Sequence, residues 1–139
     1  MGGGVVHPGQ RGEVIAAVVD DGAFAQGAQR LHGGGPGSSG LSNFRKNIDA
    51  FADRYRVITL DLPGYGLSTK LRIRQPLWGF MAAAVAGFID ALGLGKAHLV
   101  GNSLGGATAL KVALDFPEKV DRLVMMGPGG GYSTLSSMP

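Results

Sequence analysis

Three short apolar runs, each followed at once by turn residues or a helical pattern, leave this chain few architectures. RVITLD (56–61) leads into PGYG and a helical segment at about 76–92. AHLVG (97–101) leads directly into a helical stretch at about 103–115 that ends before Pro117. RLVMMG (122–127) runs into GPGGG. Ahead of them, LSNFRKNIDAFAD (41–53) sets Phe44, Ile48, Phe51 and Ala52 on one helical face. Strand and helix alternating through such short connections predict an α/β fold, a mostly parallel sheet with helices on both faces. At 139 residues the chain suits one small domain and can bury a core.

One strand slot is poorly filled. A strand should precede the helix at 41–53, but the residues available are GAFAQGAQRL (22–31), with two glycines, two glutamines and an arginine. Strands buried on both faces normally read as near-continuous Val, Ile and Leu. EVIAAVV (13–19) has that composition but lies too far upstream.

Composition excludes several function classes. A hydrophobic fraction of 45% with 17% charged residues is that of a globular chain. The formal charge is only +3, and its one basic cluster, KLRIR at 70–74, lacks interleaved aromatics, so it reads as a solvated loop and not a nucleic-acid surface. LWGFMAAAVAGFIDALGL (77–94) carries Asp90, two interior glycines and an apolar face at Leu77, Met81, Val85, Phe88 and Leu92, which predicts a buried amphipathic helix and no membrane span. The start, MGGGVV, has neither a signal-peptide pattern nor a myristoylation site. Without cysteine there is no disulfide framework and no thiolate or zinc chemistry, which fits a cytoplasmic protein.

Chemistry enters at Gly101-Asn102-Ser103-Leu104-Gly105, a G-x-S-x-G with an apolar strand running in and a helix running out. Flanking glycines permit a strained strand-to-helix turn that pushes the Ser103 hydroxyl out at the carboxyl edge of the sheet. The helix N-terminus beneath offers unsatisfied N–H groups to developing negative charge.

Upstream, LHGGGPGSSG (31–40) admits two readings. Gly35, Gly37 and Gly40 fit G-x-G-x-x-G, and Asp61, 21 residues beyond Gly40, stands where a ribose-binding carboxylate would sit in a dinucleotide fold. Against this, Pro36 removes an N–H from the phosphate cradle, and nothing in that reading explains GNSLGG. Read from His32, the same run is an HGGG-type loop. An acyl-transfer transition state needs N–H donors aimed at the carbonyl oxygen as it turns anionic, and Leu104 and Gly34 are the candidates.

LHGGGPGSSG…SNFRKN, VITLDLPGYGLS, HLVGNSLGGATAL and LVMMGPGGG together resemble the meta-cleavage product hydrolases of the α/β-hydrolase superfamily, over about residues 31–131. The resemblance implies hydrolysis of a carbon–carbon bond in a 2-hydroxy-6-oxo-hexa-2,4-dienoate, as in bacterial degradation of aromatic compounds and steroid rings. By it, Ser103 matches the catalytic serine, Gly34 and Leu104 the oxyanion donors, and Asn43 and Asn102 two asparagines lining the site. A small-molecule dienoate is the implied partner. No cofactor or metal is implied, nor any nucleic acid or membrane, and a homo-oligomer is open to the full-length family.

The chain departs from that pattern. The acid and the histidine of a triad should follow the serine in this fold, yet no histidine follows Ser103. His98 reads as a packed strand residue, His32 as a loop brace, and His7 lies in a stretch without pattern. Asp115 and Asp121 read as a helix end and a surface turn. Residues 1–30 match the family poorly, leaving 31–139 as the N-terminal portion of a hydrolase domain. The expectation is therefore a partial α/β-hydrolase fold lacking the lid and C-terminal strands, unstable or inactive alone. The alternatives are a non-catalytic fragment or degenerate gene product, an ester hydrolase, and a dinucleotide-binding domain.

Overall fold

The computed structural model describes residues 4–5, 17–19, 27–31, 33–52 and 54–129. His7 and His32 lie outside them. The elements in chain order are β1 (Gly4–Val5), β2 (Ala17–Val19), β3 (Gly27–Leu31), α1 (Gly40–Phe44), α2 (Ile48–Ala52), β4 (Arg56–Leu60), α3 (Leu77–Ala91), β5 (Ala97–Asn102), α4 (Leu104–Asp115), a 3-10 turn (Pro117–Lys119) and β6 (Val120–Met126).

They build one sheet in the order β1-β2-β4-β3-β5-β6. The strands β4, β3, β5 and β6 run parallel, and β2 and β1 add antiparallel at the β4 edge. The unpromising stretch before the glycine loop therefore does supply the central strand. Gly27 to Leu31 pair with Arg56 to Leu60 on one side and with Ala97 to Gly101 on the other. Strand formation depends on neighbours more than on intrinsic preference, and two apolar strands flank this one. Of the upstream apolar run, Ala17–Val19 lies beyond β4, pairing Ala17 with Leu60.

Crossover handedness fixes the layers. The connection from β3 to β4 moves one way across the sheet, while those from β4 to β5 and β5 to β6 move the other way. Right-handed crossovers then place α1 and α2 on one face and α3 and α4 on the opposite face. Contacts agree: α1 and α2 touch β4, and α3 and α4 touch each other.

The core lies chiefly between the sheet and α3. Met81, Val85, Phe88 and Ile89 are buried there together with Ile58, Leu60 and Leu99. Each such side chain stabilises by roughly 1.5–3 kcal/mol relative to exposure. The helix stops in a Schellman motif: Gly93 has φ 63°, its N–H donates to Asp90 O at 2.9 Å, and Leu94 N–H donates to Ile89 O at 3.2 Å.

The single helix expected over 41–53 is two. Asn47 N–H donates back three residues to Phe44 O at 2.8 Å, a tight turn that ends α1 before α2 begins. The break divides the apolar face: Phe44 is buried, Ile48 and Ala52 are half-buried, and Phe51 is exposed. KLRIR lies in irregular backbone with Lys70, Arg72 and Arg74 exposed. No helix among the described residues is long and apolar enough to cross a membrane.

Two glycines of ordinary φ should respond oppositely to alanine. Gly87 lies inside α3 with nothing within 4 Å of an added Cβ, so Gly87→Ala should raise stability by about 1 kcal/mol. A Cβ on Gly40 would sit 2.9 Å from backbone atoms of Leu60, so Gly40→Ala should cost ~1–3 kcal/mol. Urea unfolding midpoints shifting in opposite directions would show it.

Candidate active site

The strands β3 and β5 are neighbours whose crossovers leave in opposite directions. Ligands of open α/β sheets bind at such a switch point, outside the carboxyl ends of the strands. Register sets the two ends level: Leu31 pairs with Gly101, so Gly33 and Gly34 emerge beside Asn102 and Ser103.

Ser103 has φ 49° and ψ −111°, and is the sole non-glycine residue with positive φ among those described. Such a conformation costs ~1–3 kcal/mol and persists only where the surroundings enforce it. Here Ser103 N–H donates to Met126 O at 2.9 Å, and Ser103 O accepts from Gly129 N–H at 2.9 Å and from Ala107 N–H at 3.1 Å. The end of β6, the loop after it and the first turn of α4 thus clamp one residue. The glycine before it is a steric necessity, because a Cβ on Gly101 would lie 2.3 Å from Gly105 O. The Ser103 residue is exposed, and Leu104, first residue of α4, has an N–H without an intrahelical acceptor.

The glycine loop is packed backbone-first against this turn. A Cβ on Gly33 would come within 3.2 Å of Asn102 Nδ2 and 3.5 Å of Ser103 Cβ. One on Gly34 would come within 3.1 Å of the Tyr65 hydroxyl and 3.2 Å of Leu104 Cδ2. Asn43 Oδ1 accepts from Gly33 N–H at 3.1 Å and from Asn102 Nδ2 at 3.2 Å, while Asn43 Nδ2 donates to Ser39 O at 3.3 Å. One side chain from α1 thereby ties the loop to the residue before the serine. All five residues singled out in the sequence (Gly34, Asn43, Asn102, Ser103 and Leu104) come together.

The GPG portion forms a turn of type II character. Pro36 occupies its second position, Gly37 the third with φ 76°, and Ser38 N–H donates to Gly35 O at 3.0 Å. A cleft of about 700 Å³ opens beside it, bounded by Gly34–Ser38, Gly64–Gly66, Lys70 and Leu104.

Asp61 is no ribose ligand. Its buried carboxylate accepts from Gly40 N–H at 2.7 Å and Leu67 N–H at 2.9 Å, and Ser68 Oγ donates to its backbone oxygen at 2.6 Å. Both carboxylate oxygens are committed to the start of α1 and to the turn after β4. Sequence reasoning missed this bracing role; the signal available was an acid closing a strand and followed by a glycine-rich turn. Nothing in the sequence marked Tyr65 or Lys70 as cleft residues.

Of the other candidates, His98, Asp121 and Asp115 take structural places. His98 is second in β5, about 16 Å of strand from Ser103 at ~3.3 Å per residue. Its ring stacks edge-on against Tyr55 at 5.5 Å, and Nδ1 lies 3.1 Å from Asp121 Oδ2. Asp121 is therefore in a strand, β6, and not in a turn. Asp115 closes α4 and pairs with Lys111 at 2.8 Å. No metal-binding cluster of three or more such residues occurs among the described residues.

The family model for the alpha/beta hydrolase fold matches residues 31–139. The chain belongs to the α/β-hydrolase fold family. Within it, the chain is 50% identical over 111 residues to a Pseudomonas protein named 2-hydroxy-6-oxononadienedioate/2-hydroxy-6-oxononatrienedioate hydrolase, covering 78% of this chain and 39% of that one. It is 43% identical over 137 residues to 2-hydroxy-6-oxo-6-phenylhexa-2,4-dienoate hydrolase of Comamonas testosteroni, covering 97% and 44%. Among solved structures, a meta-cleavage product hydrolase from Pseudomonas fluorescens superposes with a TM-score of 0.79 at 34% identity, covering 89% of this chain and 44% of that one. The chain spans about two-fifths of the length of these curated relatives. In this α/β-hydrolase fold the glycine loop and the serine turn sit where β3 and β5 end, as their motifs required.

Replacing Asp61 tests the brace beneath the site. Asn offers one acceptor oxygen where two N–H groups must be satisfied, so Asp61→Asn should cost ~1–3 kcal/mol. Faster hydrogen exchange at Gly40 or Leu67, with a lower melting temperature, is the expected result.

Proposed function

We propose that residues 31–139 carry the nucleophile-bearing, N-terminal portion of a meta-cleavage product hydrolase, which cleaves a carbon–carbon bond in a 2-hydroxy-6-oxo-hexa-2,4-dienoate. The observation that carries the proposal is the positive φ of Ser103 with Gly34 and Leu104 packed against it. The names of the relatives point to the same substrate class.

In this reading the dienol substrate ketonises, and Ser103 Oγ attacks the C6 carbonyl. The C6 oxygen becomes anionic facing the N–H groups of Gly34 and Leu104, in a place where removing one such donor typically costs about 10²–10³ in rate. Collapse breaks the C5–C6 bond and its electron pair passes through the conjugated chain to the C2 oxygen, which takes a proton as the 2-hydroxy-dienoate leaves; water then releases the acid from the serine. Asn43 and Asn102 line the site and hold the loop.

Proton transfer from Ser103 requires a base, and His98 lies at the wrong end of β5 to serve. General-base help typically contributes about 10²–10⁴-fold, so with no base beside Ser103 among the described residues the 139-residue chain should turn over a dienoate slowly at best. Added imidazole should raise that rate, and Ser103→Ala should abolish both the basal and the imidazole-stimulated reaction. Loss of the visible dienolate absorbance reports it. Turnover that Ser103→Ala leaves unchanged, with and without imidazole, would refute the proposal.

A further inference from the structure

We infer that Met126, the last residue of β6, is a site of reversible oxidation by peroxides, and that its sulfoxide acts on the serine turn. Oxidation of a thioether follows access to the sulfur. Met126 is 43% exposed and Met125 40%, whereas Met81 is 2% exposed within the core. A peroxide therefore reaches both methionines of β6 while the sheet and α3 shield Met81.

The two exposed methionines differ in what they adjoin. The Met126 carbonyl accepts the Ser103 N–H at 2.9 Å, one of the bonds that hold Ser103 at positive φ. Met126 is also the ladder partner of Asn102. Paired residues of neighbouring strands point to the same face, so the two side chains leave the sheet together. Asn102 Nδ2 donates to Asn43 Oδ1 at 3.2 Å, the oxygen that also accepts Gly33 N–H at 3.1 Å. Met125 is paired with Gly101, which has no side chain, and alternation turns Met125 to the other face.

Oxidation changes the chemistry of that neighbour. The sulfur lone pair attacks one peroxide oxygen, and the O–O bond breaks as the S–O bond forms. The second oxygen leaves as water from hydrogen peroxide, or as an alcohol from an organic peroxide. Sulfur is oxidised from thioether to sulfoxide and the peroxide is reduced. A thioether is a weak acceptor, while the sulfoxide is polar and chiral. Strands lie about 4.8 Å apart, within the span of a methionine side chain, so the sulfoxide oxygen offers the Asn102 amide a second acceptor beside Asn43. One modification thus bears on two ties of the turn: the Met126 carbonyl to Ser103, and Asn102 to Asn43 and the glycine loop. Methionine sulfoxide reductase returns the thioether, two thiols of its reductant becoming a disulfide as the oxygen leaves as water.

The test treats the 15N-labelled chain with hydrogen peroxide and follows it by NMR and by peptide mass mapping with fragmentation between Met125 and Met126. Both residues should gain one oxygen while Met81 gains none, and the Ser103 backbone amide and Asn102 side-chain amide should shift. Met125→Leu should keep both shifts and Met126→Leu, close in volume, should lose them. Met126→Gln sets an amide oxygen near the sulfoxide position and should move the Asn102 side-chain amide without peroxide. Sulfoxide reductase with dithiothreitol should return both signals. Oxygen gained by Met81 as readily as by Met126 overturns the site. Oxidised Met126 with Ser103 and Asn102 unmoved overturns its action on the turn, as do shifts that survive Met126→Leu.

Discussion

The structure turns on one residue held against its own preference. Ser103 sits at positive φ without being glycine, and β6, the loop after it and α4 each contribute a hydrogen bond that keeps it there. That clamp forms only if β5 and β6 pair correctly, because the acceptor for the Ser103 amide is the last residue of β6. It also forms only if the chain can pass close to α4, which is why Gly101 faces Gly105 with no room for a Cβ. The sheet register, the glycines and the helix start all serve the same demand: Ser103 held exposed at positive φ where β5 ends and α4 begins.

The glycine loop meets the elbow through backbone, and polar side chains hold it. Asn43 reaches across from α1 to both Gly33 and Asn102, while Asp61 fixes the start of α1 from beneath. An amide and a carboxylate, each buried or half-buried, thus link three separate segments. A charge-bearing acceptor bonded to two backbone N–H groups is a strong fixture in a low-dielectric setting. The cleft therefore has a firm floor, while its rim carries Lys70 on irregular backbone.

Much of this was legible in the sequence because it is local. GNSLGG between an apolar strand and a helix specifies its own turn, and the strands at β4, β5 and β6 announced themselves by apolar runs. The central strand did not, because GAQRL draws its order from the ladders on both sides and not from its own residues. The break between α1 and α2 was hidden for a related reason: the apolar spacing continues through it, while a single back-bond at Asn47 ends the first helix. The commitments of Asp61 and the meeting of Asp121 with His98 depend on contacts between distant segments. No periodicity records those. Asn43 and Asn102 were found through family resemblance, and their mutual hydrogen bond is a feature that spacing could not supply.

The central claim is that Ser103 and the amides of Gly34 and Leu104 converge on one tetrahedral centre. Phenylboronic acid tests it directly, since boron becomes tetrahedral on bonding a serine oxygen. The account predicts a tetrahedral 11B NMR signal on adding the chain, shifts of the Gly34 and Leu104 amide protons, and loss of both in Ser103→Ala. An adduct that survives Ser103→Ala, or no adduct with those two amides unmoved, would contradict it.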